Sequence, residues 1–128
     1  MIGLEPSSEL LNMARPRAEA AAAAITLLDG SAETIPLDSG SIDTVITTWT
    51  LCTIPNVGQA LSEMRRVLRP GGALLFVEHG RAPEPSVARW QMDDLINGNG
   101  FRIETLENAR LPGPRTHTFL YQGRAKPA

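Results

Sequence analysis

The sequence predicts an α/β domain: a doubly wound, mostly parallel sheet that finishes in an antiparallel hairpin. Three observations point there. Short β-rich apolar runs alternate with helical runs along most of the chain, the order that builds parallel sheets. Ala73 to Val77 is continuously apolar, which suits a strand covered on both faces. Near the C-terminal end, Phe101 to Leu106 and Thr116 to Gln122 alternate in polarity around Leu111-Pro112-Gly113-Pro114, and such a pair reads as a hairpin.

Ile2 to Leu4 is a short apolar strand closed by Glu5 and Pro6. Ser7 or Ser8 then caps a helix with Leu10, Leu11 and Ala14 as its apolar positions. Pro16 should kink or restart that helix, and the alanine run from Ala20 to Ala24 favours its continuation. Ile25-Thr26-Leu27-Leu28 reads as a buried strand stopped by Asp29-Gly30. After a turn at Asp38 to Ser41, Ile42 to Thr48 is a β-rich run. Gln59 to Arg69 is the clearest helix: Leu61, Met64 and Leu68 share one face, and Arg65, Arg66 and Arg69 lie toward the end where the dipole favours cations. Pro70-Gly71-Gly72 ends it, and the apolar strand from Ala73 follows. Pro83 to Pro85 opens a weaker helical stretch through Trp90 to Ile96, broken by Gly98-Asn99-Gly100.

At 128 residues, with 42% hydrophobic and 20% charged residues, the chain is one ordinary globular domain. Aromatics make up 5%, so the core rests on Leu, Ile, Val and Ala. A formal charge of −2 advertises no nucleic-acid partner. No stretch is long and apolar enough to span a bilayer, and the first residues do not read as a signal peptide, so a cytoplasmic protein is expected. Cys52 is the single cysteine, which excludes an internal disulfide and a zinc cluster, so no metal is expected. It reads as a small buried residue. His117 falls in the hairpin, where a solvent-facing side chain is expected.

Open parallel sheets bind ligands at the carboxyl ends of their strands. Those ends carry Glu5, then Asp29-Gly30-Ser31-Ala32-Glu33, then Thr47-Thr48-Trp49-Thr50, then Glu78-His79-Gly80. A carboxylate such as that of Glu5 accepts both hydroxyls of a ribose, because it has two acceptor oxygens and no donor. His79 is the best general base by its ordinary pKa.

The segments Gly3-Leu4-Glu5-Pro6-Ser7, Leu28 to Glu33 with Pro36, Ser41 to Val45, and Leu61 to Gly72 (LSEMRRVLRPGG) resemble class I S-adenosylmethionine-dependent methyltransferases. The likeness is closest to the small-molecule branch of ubiquinone and menaquinone biosynthesis. TTWTLCTIPN and LLFVEHGRAPEPSVARWQ look like a methyltransferase-like subgroup of that branch. The resemblance implies a Rossmann-like fold, S-adenosylmethionine as cofactor and a small-molecule methyl acceptor. By position, it implies that Glu5 holds the cofactor ribose, Pro6 packs on the adenine, and Ser31 and Ala32 meet the adenine edge. Thr48 and Trp49 then lie near the methionine part and the acceptor. Glu78 and His79 face the acceptor pocket, with His79 as catalytic base where the acceptor must lose a proton. Trp90 reads first as core or lid packing, with a place lining the acceptor pocket as the other reading.

The match departs from the family in three places. A complete domain of seven strands and six helices needs roughly 150 residues. The chain begins at what matches the family's second strand, so a partial domain is expected, without the first strand, its glycine loop and the helix after it. The family usually has Asp where Ser31 stands, which weakens an adenine contact. The stretch from Trp90 to Gly100 is short. Without a central strand, two strand edges should be exposed or forced to pair directly, leading the chain to re-pair its sheet, self-associate or fold poorly. A non-catalytic remnant or interaction module is therefore the alternative reading. A nicotinamide-dinucleotide protein is a third, which the RVLRPGG segment disfavours.

Overall fold

The computed structural model describes residues 1–80, 92–110, 112 and 119–128. The expected turn at Leu111 to Pro114 falls largely outside them. The start of the helical stretch at Pro83, Trp90 and His117 lie wholly outside. The described order is β1 (Ile2–Glu5), α1 (Ser8–Ala20), β2 (Thr26–Asp29), β3 (Ile42–Thr48), a 3-10 turn (Leu51–Thr53), α2 (Val57–Val67), β4 (Leu68–Gly80), α3 (Met92–Gly98), β5 (Phe101–Arg110) and β6 (Phe119–Pro127). This is the alternation and terminal hairpin that the sequence predicts.

The sheet is in two pieces. β1 and β2 pair in parallel, and a four-stranded sheet runs in the order β3-β4-β6-β5. β3 and β4 are parallel, while β6 lies antiparallel to both β4 and β5. The expected α/β architecture with parallel strands and a C-terminal antiparallel hairpin is present, and its parallel pairs fall in two separate pieces. Among the described residues β1 and β3 do not pair with each other and each has a single strand neighbour, so the expected direct pairing of these two edges is not seen. Ile2 and Ile46, on these two strands, are exposed.

Local physics sets the element ends. Ser7 is the N-cap of α1, its hydroxyl accepting from Leu10 N at 3.3 Å, which satisfies one of the orphan N–H groups of the first turn. α1 continues through Pro16 rather than restarting there, and it stops at Ala20 rather than running on to Ala24. Ala21 is already extended, at ψ 142°, because the chain must return within a few residues to lay Thr26 beside Ile2. Tertiary pairing here overrides alanine's helix propensity.

α2 begins two residues before the expected Gln59, with Asn56 accepting from Gln59 N at 3.1 Å as its cap. It ends at Val67, two residues earlier than Arg69. Leu68 is extended and already pairs with Ile42. Pro70-Gly71-Gly72 is therefore not a helix stop but a bulge inside β4, between the pairs Ile42–Leu68 and Thr44–Ala73. Gly71 takes φ +82° there, a conformation that glycine alone adopts without strain. Arg69 lies beyond the helix and pairs with Asp43. β6 runs to Pro127, beyond the expected end at Gln122. A bulge between Ile103 and Thr105 in β5 turns out Glu104, which binds Lys126 at 2.7 Å and Arg124 at 3.1 Å.

The core lies between α2, α3 and the inner face of the four-stranded sheet. Leu61, Met64 and Val67 of α2 pack with Leu74 and Phe76 of β4, Ile96 of α3, Phe101 of β5, and Tyr121 and Ala125 of β6. The 35–39 segment is tied to α2 through one ion pair. Glu63 Oε2 accepts from Ile35 N at 3.0 Å, and Arg66 donates to Glu63 Oε1 at 2.7 Å, to Ile35 O at 2.9 Å and to Leu37 O at 2.9 Å.

The Arg66 guanidinium, with the Ile35 N–H, holds the Glu63 carboxyl below its ordinary value of 4.5 despite some desolvation. A depressed carboxyl stabilises the native state fully above its unfolded value and loses that contribution as pH falls through its native value. Glu63→Gln should therefore cost about 1 kcal/mol near neutrality, a modest figure because the pair is partly solvated. In thermal melts, the gap in Tm between wild type and variant should close as pH falls below 4.5. A gap that stays constant down to acid pH would show that the charge does not matter.

Candidate cofactor and acceptor site

The parallel strands end in two clusters. At the first, Glu5 and Asp29 are register partners closing β1 and β2. Glu5 is half-buried; its Oε1 accepts from Ser7 N at 2.9 Å, and its carbonyl accepts from Gly30 N at 3.3 Å. The carboxylate is thus oriented by the turn that caps α1. Pro6 follows it and is exposed.

Ser31 and Ala32 open the turn after β2, closed by Thr34 N donating to Ser31 O at 3.0 Å. Ala32 packs against the core. The Ser31 hydroxyl donates to Glu33 Oε2 at 3.2 Å and accepts from Glu33 N at 3.1 Å. That hydroxyl is engaged within its own turn, so Ser31 offers a weaker side-chain contact to a ligand than an aspartate would. Glu33 adds a function that the sequence reading did not assign. Its Oε1 accepts from Asn56 N at 2.7 Å, fastening this turn to the start of α2.

The second cluster closes β3 and β4. Thr48 is the last residue of β3 and is exposed, with its carbonyl accepting from the Thr50 hydroxyl at 2.9 Å. Trp49 has φ +51° and is 53% exposed. A bulky residue in the left-handed region is strained; Trp49 is held there on one side by its N–H, which donates to Val77 O at 2.9 Å. The His79 ring is half-buried, 6.2 Å from the Trp49 ring and tilted 41° to it. Cys52 Sγ lies 3.6 Å from His79 Nε2. Cys52 is exposed, which corrects the expectation of a buried cysteine: the 3-10 turn carries it outward while Leu51 takes the buried position.

Glu78 also differs from expectation. It is fully buried and lies on the core face of β4 with Leu74 and Phe76. It does not share a surface with His79, because successive strand residues point to opposite faces. Its Oε2 accepts from Thr50 N at 2.9 Å and from Leu51 N at 3.2 Å. Oε1 and the buried Thr47 hydroxyl lack a well-formed hydrogen bond. Desolvation pushes the Glu78 carboxyl up, and the Thr47 hydroxyl, the two backbone N–H groups and His79 counter it only in part. The one signal for Glu78 in the sequence is an acid that directly follows a continuous apolar run. For the Cys52–His79 contact no local pattern exists, since the two residues are far apart in the chain.

Both clusters thus bring together sequence-predicted residues: Glu5, Pro6, Ser31 and Ala32 at one, and Thr48, Trp49 and His79 at the other. Residues 1–76 match the family model described as a methyltransferase domain. A ubiquinone/menaquinone biosynthesis C-methyltransferase of Methylobacterium nodulans is 31% identical over 113 residues, which is 88% of this chain and 43% of the relative. The human thiol S-methyltransferase TMT1B is 48% identical over 56 residues, covering 43% of this chain and 23% of that protein. The chain therefore spans less than half the length of these curated relatives. Among solved structures, the trans-methyltransferase CalH in complex with SAH superposes with a TM-score of 0.74 at 17% identity, over 99% of this chain and 42% of that one. This likeness establishes a shared fold.

Proposed function

Because this chain belongs to the class I S-adenosylmethionine-dependent methyltransferases, in the branch similar to ubiquinone and menaquinone biosynthesis C-methyltransferases, we propose that it takes part in methyl transfer to a small-molecule acceptor. S-adenosylmethionine is the cofactor that goes with the family. The observation that carries the reading is Glu5: a carboxylate at the carboxyl end of a parallel strand, oriented by Ser7 N at 2.9 Å. Its acceptor-only chemistry suits a ribose diol.

When bound, the cofactor supplies an already activated methyl group. The chain's own residues are left with orientation and exclusion of water. In this reading Glu5 and Pro6 hold the nucleoside side, together with the backbone of the turn at Ser31 and Ala32. Thr48 and Trp49 border the reacting end. His79 accepts a proton at a ring nitrogen where the acceptor is a thiol or phenol. A cytoplasmic site of action is part of the same proposal.

Isothermal titration with S-adenosylhomocysteine tests it. Glu5→Ala should weaken binding by roughly 10- to 100-fold, the loss of one or two hydrogen bonds to a charged group. No heat from the wild-type chain at millimolar ligand would refute cofactor binding.

A second reading, a non-catalytic module that self-associates through strand edges, is favoured by the separation of the β1-β2 pair from the other sheet. Sedimentation as a concentration-independent monomer would count against it. Methyl transfer from labelled cofactor to any thiol or phenol would exclude it.

A further inference from the structure

We propose that Glu78 is a positioning residue: its buried carboxylate clamps the turn after β3, and so sets Trp49 and Cys52 against His79. The proposal rests on the reading that Trp49 and His79 border the acceptor, but its physical basis is independent of that reading.

Trp49 sits at φ +51°, a strained state for a large side chain that persists only where the surroundings over-determine it. Two restraints flank it. On one side its own N–H binds Val77 O, and on the other the next two N–H groups, of Thr50 and Leu51, converge on Glu78 Oε2 at 2.9 and 3.2 Å. Val77, Glu78 and His79 are consecutive, so one stretch of β4 both grips the turn and presents the ring that the turn faces. Leu51 is driven inward beside the core, and Cys52, the next residue, is left outside at 3.6 Å from His79 Nε2. Burying a carboxylate is costly unless it is well bonded. An amide of the same shape keeps an acceptor for the two N–H groups. It also brings a donor to the side where Glu78 Oε1 and the Thr47 hydroxyl lack a well-formed bond.

The contrast between glutamine and leucine at this position is therefore the test. Cys52 is the single cysteine, so alkylation by iodoacetamide reports on it alone. Cys52 Sγ lies 3.6 Å from His79 Nε2 at the exposed end of the turn, so a turn that loosens changes the surroundings of the thiol. Glu78→Leu should change the alkylation rate about fivefold, while Glu78→Gln stays within about twofold of wild type. A wild-type rate in Glu78→Leu, or an equal change in Glu78→Gln, overturns the proposal. Should Glu78→Leu fail to fold, hydrogen exchange in the unmodified protein decides. The Thr50 and Leu51 amides should be protected, and rapid exchange at both refutes the clamp. Neither readout uses cofactor or acceptor, so failure of the clamp and failure of methyl transfer are separately visible.

Discussion

Replacing Phe76 with alanine is expected to destabilise the protein by about 3–5 kcal/mol. The ring is 1% exposed and stands at the centre of the four-stranded sheet, with Thr47 opposite it on β3 and Gly123 opposite it on β6. Leu61, Met64 and Val67 of α2 belong to the same cluster. These neighbours are anchored in regular elements and cannot collapse far into the space left behind, so the cavity cost adds to the lost transfer energy. Domains of this size have about 5–15 kcal/mol in all. The variant should therefore show a urea midpoint lowered by more than a molar, given a slope of about 1–3 kcal/mol per molar. An unchanged midpoint would mean that the aromatic ring is not a core element.

Gly123→Ala is expected to be the next most damaging change. A Cβ built there lies 2.4 Å from Thr105 O and 2.6 Å from Phe76 Cζ. The first neighbour is backbone at the β5 bulge and cannot move without breaking strand pairing. The second is the buried ring just discussed. Overpacking of this kind costs about 1–3 kcal/mol and sometimes more, or a Tm lower by roughly 4–15 °C for a chain of this length. The effects should couple. With Phe76→Leu in the background, part of the clash disappears, and the Gly123→Ala penalty should shrink by about 0.5 kcal/mol or more. Strictly additive losses in that double-mutant cycle would indicate that the Thr105 carbonyl alone sets the cost.

Much of the fold was legible because it is local. Ile42 to Thr48 is β3 to the residue, and the amphipathic face of α2 is the one that is buried. The candidate ribose acid, Glu5, stands at the strand end where the pattern placed it. The alanine run, the Pro70-Gly71-Gly72 segment and the far end of β6 depart from their local propensity, because each is settled by a strand pairing that local sequence does not encode. The environments of Cys52 and Glu78 likewise come from distant segments.

By itself, the sequence determined the order of the elements, their polar carboxyl ends and the family, because periodicity, turn chemistry and motif spacing are properties of neighbouring residues. Only the tertiary structure decided that the sheet divides between β1 and β3, and that Ser31 spends its hydroxyl on Glu33. It also decided that Glu78 is buried, with its Oε2 accepting from the Thr50 and Leu51 N–H groups. Those outcomes depend on which backbone groups find partners across the chain, and burial makes an unpaired group too costly for the choice to be indifferent.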